Sequence, residues 1–110
     1  MPANFNKGTI VLIPFPFTDL EGSKVRPALI LNSNLSVDII AAFISSKTGE
    51  AKPFEVSIEP DSGNGLKVKS KVICSKIATL DRKIILGEIG KLSQKHLSEV
   101  DMNLKKVFEV

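Results

Sequence analysis

The chain has very few of the side chains from which disulfides, metal sites and histidine-based catalysis are built. It contains one cysteine, Cys74, and one histidine, His96, in 110 residues. A lone cysteine excludes an internal disulfide and a paired-cysteine metal site, and a lone histidine excludes a catalytic pair of histidines. The glycine patterns of P-loops and dinucleotide-binding folds are missing as well. We therefore expect a protein that uses no cofactor and works in a reducing compartment.

Long hydrophobic runs are missing too. The longest apolar stretch covers residues 39–44, far below the length of a membrane-spanning helix, and the N-terminal sequence MPANFNKG has no apolar signal-peptide core. These features predict a cytoplasmic protein with no membrane partner. The length predicts a single domain over residues 1–110. Because a domain this small buries a limited share of its surface, we also expect a homodimer.

The charge balance is mildly basic. Fifteen Lys and Arg residues against twelve Asp and Glu residues give a net charge of +3 and a pI near 9.1. This balance suits a polyanionic partner without identifying one. Alternation along a strand would place Lys67, Lys69 and Lys71 on one face, which makes them a candidate phosphate track. The alternative is an ordinary solvated face.

Most of the chain has β-strand patterns, and only its end has a helical period. Apolar segments rich in β-branched residues, separated by turn-forming residues, predict short strands. After Ser93, a good N-cap residue, apolar residues follow three-four spacing as far as Phe108, which predicts a helix that covers the sheet. The fold class is therefore mainly β, a small barrel with a C-terminal α-helix packed on it. The predicted strands are 8–15, 27–32, 37–44, 54–58, 71–80 and 83–89, with a loop at 16–25 and a turn at 32–34.

Arg26 is the most informative residue, because it lies between a polar loop and an apolar strand. Pro27 fixes its own φ and pushes the preceding residue into the extended region, so Arg26 is held at the strand entrance. Both faces of residues 27–31 are apolar, which predicts a strand covered on both sides. A guanidinium at this edge needs a partner or an anion. The candidates are a salt bridge to Asp19 or Glu21 and a bound anion.

Seven ordered patterns resemble one family. They are G-T-I-V-L-I, a loop holding Glu21, V-R-P-A-L-I-L, A-F-I-S-S, P-F-E-V, G-L-x-x-x-S-x-V-x-C and T-L-D, and together they extend over most of the chain. In this order they resemble the MazF/PemK toxins of bacterial toxin-antitoxin pairs. The resemblance implies an SH3-like β-barrel, a homodimer and a metal-independent endoribonuclease that cuts single-stranded RNA. It also implies a cognate antitoxin whose acidic disordered tail blocks the RNA groove.

Cleavage of RNA without a metal uses the ribose 2′-hydroxyl as nucleophile, so the enzyme must stabilise charge on the phosphate and help protons move. Arg26 matches the family's arginine and would contact the phosphate oxygens. Ser45 matches the family's usual threonine and would donate a hydrogen bond to the phosphate or orient the 2′-hydroxyl. Glu21 matches a loop acid and would accept a proton or hold Arg26 when RNA is absent. The expected RNA-binding residues are Phe17, Lys24, Ser46, Lys47, Lys69 and Ser75.

Other interpretations of these residues remain open. Ser45 is equally typical of a serine that satisfies backbone groups at a strand end, and Phe17 is typical of an apolar loop anchor. His96 is expected at the boundary of the final helix's apolar face, and Cys74 is expected to be a buried, inert thiol. The chain departs from patterns common in the family at Lys47, Ile73, Ser75 and Ala78.

Two functional classes follow from the resemblance. The first is an RNA-cutting toxin that uses Arg26, Ser45 and Glu21. The second is a toxin on the same barrel that binds a protein partner and cuts nothing, as in the CcdB group of gyrase inhibitors. The three residues together favour the first class, because a binding module has no need for a set of phosphate-reading side chains.

Overall fold

The structure is a computed structural model that describes residues 5–15, 24–47 and 49–110. It confirms the predicted fold class, which is mainly β with one C-terminal helix. The described part of the chain contains no helix that is long and apolar enough to cross a membrane. The elements are β1 Thr9–Phe15, β2 Lys24–Leu35, β3 Asp38–Ser45, β4 Glu55–Ile58, β5 Ser70–Asp81, a 3-10 turn Arg82–Ile84, β6 Gly87–Lys91 and α1 Gln94–Phe108.

The six strands form one curled antiparallel sheet, a half-barrel, in the order β4-β5-β3-β2-β1-β6. Successive residues of a strand point to opposite faces, so the sheet has two distinct sets of side chains. The first face, which we call the helix face, packs under Val100 of α1. Its buried strand residues include Ile10, Leu29, Ala42, Ile44, Val56, Ile58, Val72 and Cys74.

The opposite face, which we call the cavity face, has its own apolar cluster. Ala28 and Ile30 of β2 belong to it, whereas Leu29 between them belongs to the helix face, and all three are fully buried. This confirms the prediction that the strand after Pro27 is covered on both sides. The buried cluster of the cavity face is Val11, Ile13, Ala28, Ile30, Ile39 and Ala41.

The predicted turn at residues 32–34 is wrong, because β2 continues to Leu35 and the chain turns at Ser36 and Val37. The pairing of β2 with β3 shifts register between Ile30 and Asn32 and again before Leu35. Such bulges place polar residues inside a strand. The side chain of Asn32 accepts a hydrogen bond from the backbone of residue 34, and Arg82 donates one to the carbonyl of residue 33. Local and distant contacts together therefore keep these polar residues extended.

Two further predictions are wrong, the start of the sixth strand and the placement of three lysines on one strand. Residues 82–84 form a 3-10 turn rather than a strand, because the Asp81 carboxylate accepts a hydrogen bond of 2.8 Å from the backbone of Lys83. The sixth strand begins only at Gly87. The alternation of three lysines along one strand is also wrong: Lys67 and Lys69 precede β5 and are exposed, whereas Lys71 lies within β5 and is buried.

The C-terminal helix forms where the sequence predicts it, after Ser93 and as far as Phe108. Ser93 caps α1, and its Oγ accepts a hydrogen bond of 3.3 Å from the backbone of His96. The His96 ring is half-buried, with Nδ1 2.9 Å from the same Oγ, as expected for a boundary residue. Cys74 is fully buried on the helix face, and burial raises the pKa of its thiol to about 11. A thiol with so little thiolate at neutral pH is a poor nucleophile.

Candidate functional site

Arg26 and Ser45 come together at one end of the cavity face. Arg26 lies near the start of β2 and pairs with Ile13, so alternation places it on the same face as Ala28 and Ile30. Ser45 is the last residue of β3 and shares this face with Ala41. Antiparallel pairing of β2 with β3 brings the start of one strand beside the end of the other. Both residues line a single open cavity of about 660 Å³.

The cavity is predominantly basic. Its lining contains five basic side chains and two acidic ones, together with apolar residues of β3 and β5. Such a concentration of positive charge in a concave surface attracts anions. The described part of the chain contains no cluster of three or more His, Cys, Asp or Glu residues arranged to hold a metal ion. The charged lining residues are Arg26, Lys47, Lys52, Lys71, Lys76, Glu50 and Glu55.

Arg26 is exposed to this cavity. Within residues 5–15, 24–47 and 49–110, no carboxylate lies within ion-pair distance of its guanidinium. The two loop acids proposed as alternative partners, Asp19 and Glu21, lie outside the described residues. A planar guanidinium in this position can contact two oxygens of one phosphate.

The geometry of Ser45 shows the local role and leaves room for the binding role that its sequence position left open. Its Oγ accepts a hydrogen bond of 3.2 Å from the backbone of Lys47, as a serine at a strand end is expected to do. A hydroxyl that accepts one bond still has its own proton to donate. The side chain is half-buried at the rim of the cavity, so this proton can reach a bound anion.

Lys71 and Glu55 are site residues that the sequence did not assign. Lys71 is 8% exposed, and its Nζ donates a hydrogen bond of 2.8 Å to the backbone carbonyl of Glu50. The same Nζ lies 3.9 Å from Oε1 of Glu55, whose Oε1 also accepts a bond of 2.9 Å from the backbone of Lys52. Glu55 stands in the P-F-E-V pattern and Lys71 in the expected lysine track, but only the pairing of β4 with β5 shows that they meet.

Only some of the other predicted site residues line the cavity. Lys47 lines the cavity, and Ser46 is exposed between two lining residues. Lys24 is the exposed first residue of β2 and is not part of the lining. Lys69 and Ser75 are exposed and also stand outside the lining, although Ile73 and Lys76 of the same strand belong to it. Glu21 and Phe17 lie outside the described residues.

Comparison with known proteins gives a consistent result. A family model described as PemK-like, MazF-like toxin of type II toxin-antitoxin system matches residues 6–108. A chain of a MazE-MazF crystal structure (Form-II) from Deinococcus radiodurans has a TM-score of 0.80 at 21% identity, with 98% of both chains covered. The Mycobacterium tuberculosis toxin MazF-mt6 has a TM-score of 0.74 at 22% identity and covers 93% of this chain and 97% of its own.

A third similar structure is an endoribonuclease in complex with its cognate antitoxin from a mycobacterial species. Its TM-score is 0.73 at 19% identity, with 94% of both chains covered. No match was found among curated proteins. At these identities the solved structures show the same fold, and the family model extends over nearly the whole chain. The chain therefore belongs to the PemK-like, MazF-like toxins of type II toxin-antitoxin systems.

Proposed function

We propose that this toxin is an endoribonuclease that cleaves single-stranded RNA through the ribose 2′-hydroxyl. The observation that supports the proposal most directly is the presence of Arg26 and Ser45 in one basic cavity. Family membership supports it further, because similar structures include proteins described as endoribonucleases. A toxin that only bound a protein partner would not need an exposed arginine beside a hydroxyl donor in a cavity suited to phosphate.

In the proposed reaction the 2′-oxygen attacks the adjacent phosphorus while the bond from phosphorus to the 5′-oxygen breaks. The products are a 2′,3′-cyclic phosphate and a 5′-hydroxyl. The 2′-hydroxyl proton passes to a base, for which Glu21 is the candidate, and the leaving 5′-oxygen gains a proton. Arg26 stabilises the negative charge that accumulates on the phosphate oxygens, and Ser45 donates a hydrogen bond to one of them.

The remaining cationic residues hold the RNA on either side of the reacting phosphate. Lys47, Lys52 and Lys76 line the cavity and are exposed, so they can contact neighbouring phosphates. Phe17, Lys24, Ser46, Lys69 and Ser75 extend this proposed RNA-binding set beyond the lining. An aromatic side chain such as Phe17 would stack on an unpaired base.

The proposed partners follow from the same comparison. Similar structures contain a MazF toxin together with MazE, or an endoribonuclease together with its cognate antitoxin. We propose that an antitoxin with an acidic tail binds this chain and covers the basic cavity. We also propose that the toxin acts in the cytoplasm as a homodimer.

The test is incubation of the purified chain with a long single-stranded RNA in excess EDTA, followed by mapping of the cut ends. We expect cleavage at a few sequences, with 2′,3′-cyclic phosphate ends, and no cleavage by Arg26→Ala. Lys95→Met is the matched control, because it removes a positive charge from the exposed surface of α1. An oligonucleotide with one 2′-deoxyribose at the cut position should resist cleavage. Intact RNA after incubation with folded protein would favour the binding class of toxin.

A further inference from the structure

Lys71 is the one charged residue that is buried in the described part of the chain. Burying an ammonium group is costly unless the charge is paired and hydrogen-bonded. The pairing here is partial, because Glu50 provides one carbonyl at 2.8 Å while Glu55 lies beyond hydrogen-bond distance at 3.9 Å. An apolar residue at this position of β5 would avoid the desolvation cost of a buried ammonium group. A lysine at this position therefore indicates a task other than packing.

The side chain of Lys71 contacts the connection between β3 and β4 at Glu50, and the first residue of β4, Glu55. Residues 46–47 and 49–54, which we call the wall segment, lie between β3 and β4, and several of them line one side of the basic cavity. Lys71 lies between these two strands, paired with Ser45 on one side and Ser57 on the other. From this position its Nζ holds the wall segment at residue 50, and the neighbouring Glu55 holds it at the backbone of residue 52.

The wall segment needs such support because its backbone is unusual at two points. Gly49 has a φ of 115°, and Phe54 has a φ of 69°, a conformation that is uncommon for a residue with a bulky side chain. A left-handed phenylalanine persists only where surrounding contacts fix the backbone. The carbonyl of Phe54 accepts a hydrogen bond of 2.9 Å from the backbone of Cys74, which fixes the far end of the segment. Lys71 and Glu55 fix its middle.

We propose that Lys71 is a positioning residue which, together with Glu55, holds the wall segment in the shape that binds RNA. Lys47 and Lys52 lie on this segment and face the cavity, so its position sets where these two cations meet the RNA backbone. Lys71 thereby controls RNA affinity and the choice of bases beside the reacting phosphate. This inference rests on the proposed RNA-cleaving function and adds a residue that acts on binding rather than on the chemical step.

The test compares Lys71→Met with Lys95→Met, which makes the same substitution on the exposed surface of α1. We expect Lys71→Met to raise KM for RNA about tenfold, equivalent to about 1.4 kcal/mol, with kcat within about threefold of the unsubstituted protein. Mapping of the cut ends should show cleavage at additional sequences. Lys71→Arg retains the positive charge and should recover part of the selectivity. A purely structural lysine would alter the melting temperature without changing the ratio of cut sites.

Two results would overturn the inference. One is Lys71→Met with an unchanged KM and the same cut sites, and the other is a loss confined to kcat. If Lys71→Met does not fold, Glu55→Gln takes its place, because the amide oxygen still accepts from the backbone of Lys52 while the charge beside Nζ is lost. A raised KM in Glu55→Gln supports the inference, and an unchanged KM contradicts it.

Binding of an uncleavable 2′-deoxy oligonucleotide, followed by fluorescence anisotropy, separates this inference from the proposed function. If the unsubstituted protein binds but does not cut RNA, the endoribonuclease proposal fails. Binding that is about tenfold weaker in Lys71→Met then still supports the role of Lys71. Equal binding by the two proteins overturns that role, as does a protein that binds no oligonucleotide at all.

Discussion

Arg26 combines three properties that a phosphate-binding residue needs. It is exposed to the cavity, it lies on a strand of the sheet, and Pro27 directly after it restricts its backbone. A side chain on a fixed strand reaches the transition state with little reorganisation. Its planar guanidinium also offers two parallel donors, which a lysine ammonium does not.

The first prediction follows from this geometry. Arg26→Lys keeps the charge but loses the paired donors, and we expect kcat for RNA to fall about 100-fold with a smaller change in KM. The melting temperature should stay within about 2 °C, because the residue is exposed and its removal creates no cavity. Single-turnover cleavage measures the effect on the chemical step. Near-normal kcat in Arg26→Lys would show that charge alone is sufficient.

The second prediction concerns Cys74. Burial raises the pKa of its thiol from an ordinary value of 9.0 to about 11, whereas the unfolded chain has the ordinary value. Above pH 9 the unfolded state therefore loses the thiol proton first, and the free energy of unfolding falls as the pH rises toward 11. Urea denaturation across this range should show a shallower decline for Cys74→Ala. Equal slopes for the two proteins would contradict the assignment.

At the scale of elements, β6 depends on a tight turn that precedes β5. The turn at residues 60–65 is organised by Asn64, whose fully buried amide accepts bonds from the backbone of residues 61 and 66 and donates to the carbonyl of residue 59. The backbone of Lys91 in β6 donates a bond of 2.8 Å to Gly63. This contact brings the turn so close to β6 that no side chain fits between them.

Gly90 provides the third prediction. A β-carbon at this position would lie 2.4 Å from the carbonyl carbon of Asn64 and 2.5 Å from the carbonyl oxygen of Gly63, both of them backbone atoms. We expect Gly90→Ala to lower the free energy of unfolding by at least about 2 kcal/mol, measured by urea denaturation. Gly87→Ala is the matched control in the same strand, because its β-carbon would meet nothing within 4 Å. Equal stabilities for the two variants would contradict the close approach.

At the scale of the whole molecule, charge is concentrated where the proposed substrate binds. The net charge of +3 is modest, but five basic side chains surround one cavity on one face of the sheet. The opposite face is covered by α1 and buries apolar residues. Both faces of the sheet bury apolar clusters, and only the cavity face also has the basic cavity, where we propose that RNA binds.

The fourth prediction is a measurable salt dependence. Each phosphate neutralised on a single strand contributes about −0.7 to the slope of log K against log salt concentration, so the four exposed basic side chains of the cavity, Arg26, Lys47, Lys52 and Lys76, allow a slope as steep as about −2.8. Arg26→Ala should reduce the steepness by about 0.7, whereas Lys95→Met should leave it unchanged. Anisotropy titrations with a 2′-deoxy oligonucleotide give both slopes. A slope near zero would exclude phosphate contacts as the source of affinity.

Local sequence patterns predicted most of the strands and the helix, because residue spacing and capping side chains largely determine where these elements form. The three-four spacing after Ser93 and the capping side chain of Ser93 were sufficient to place α1. Apolar residues on both alternation faces were sufficient to identify the start of β2 as a buried strand. The end of β2 was not predictable, because the polar residues at 32–34 stay in the strand through two register shifts and a contact with Arg82, which lies far away in sequence.

The sequence by itself determined the fold class and the family, because patterns of neighbouring residues are sufficient for both, and it predicted a shared site for Arg26 and Ser45. Only the tertiary structure decided the burial and the contacts of Lys71, from which we propose its role. In the sequence it belongs to a run of alternating lysines, yet β5 begins at Ser70 and lies between β3 and β4, so Lys71 is buried while Lys67 and Lys69 stay exposed. Burial and charge pairing depend on which strands become neighbours, and strand order is a property of the whole chain.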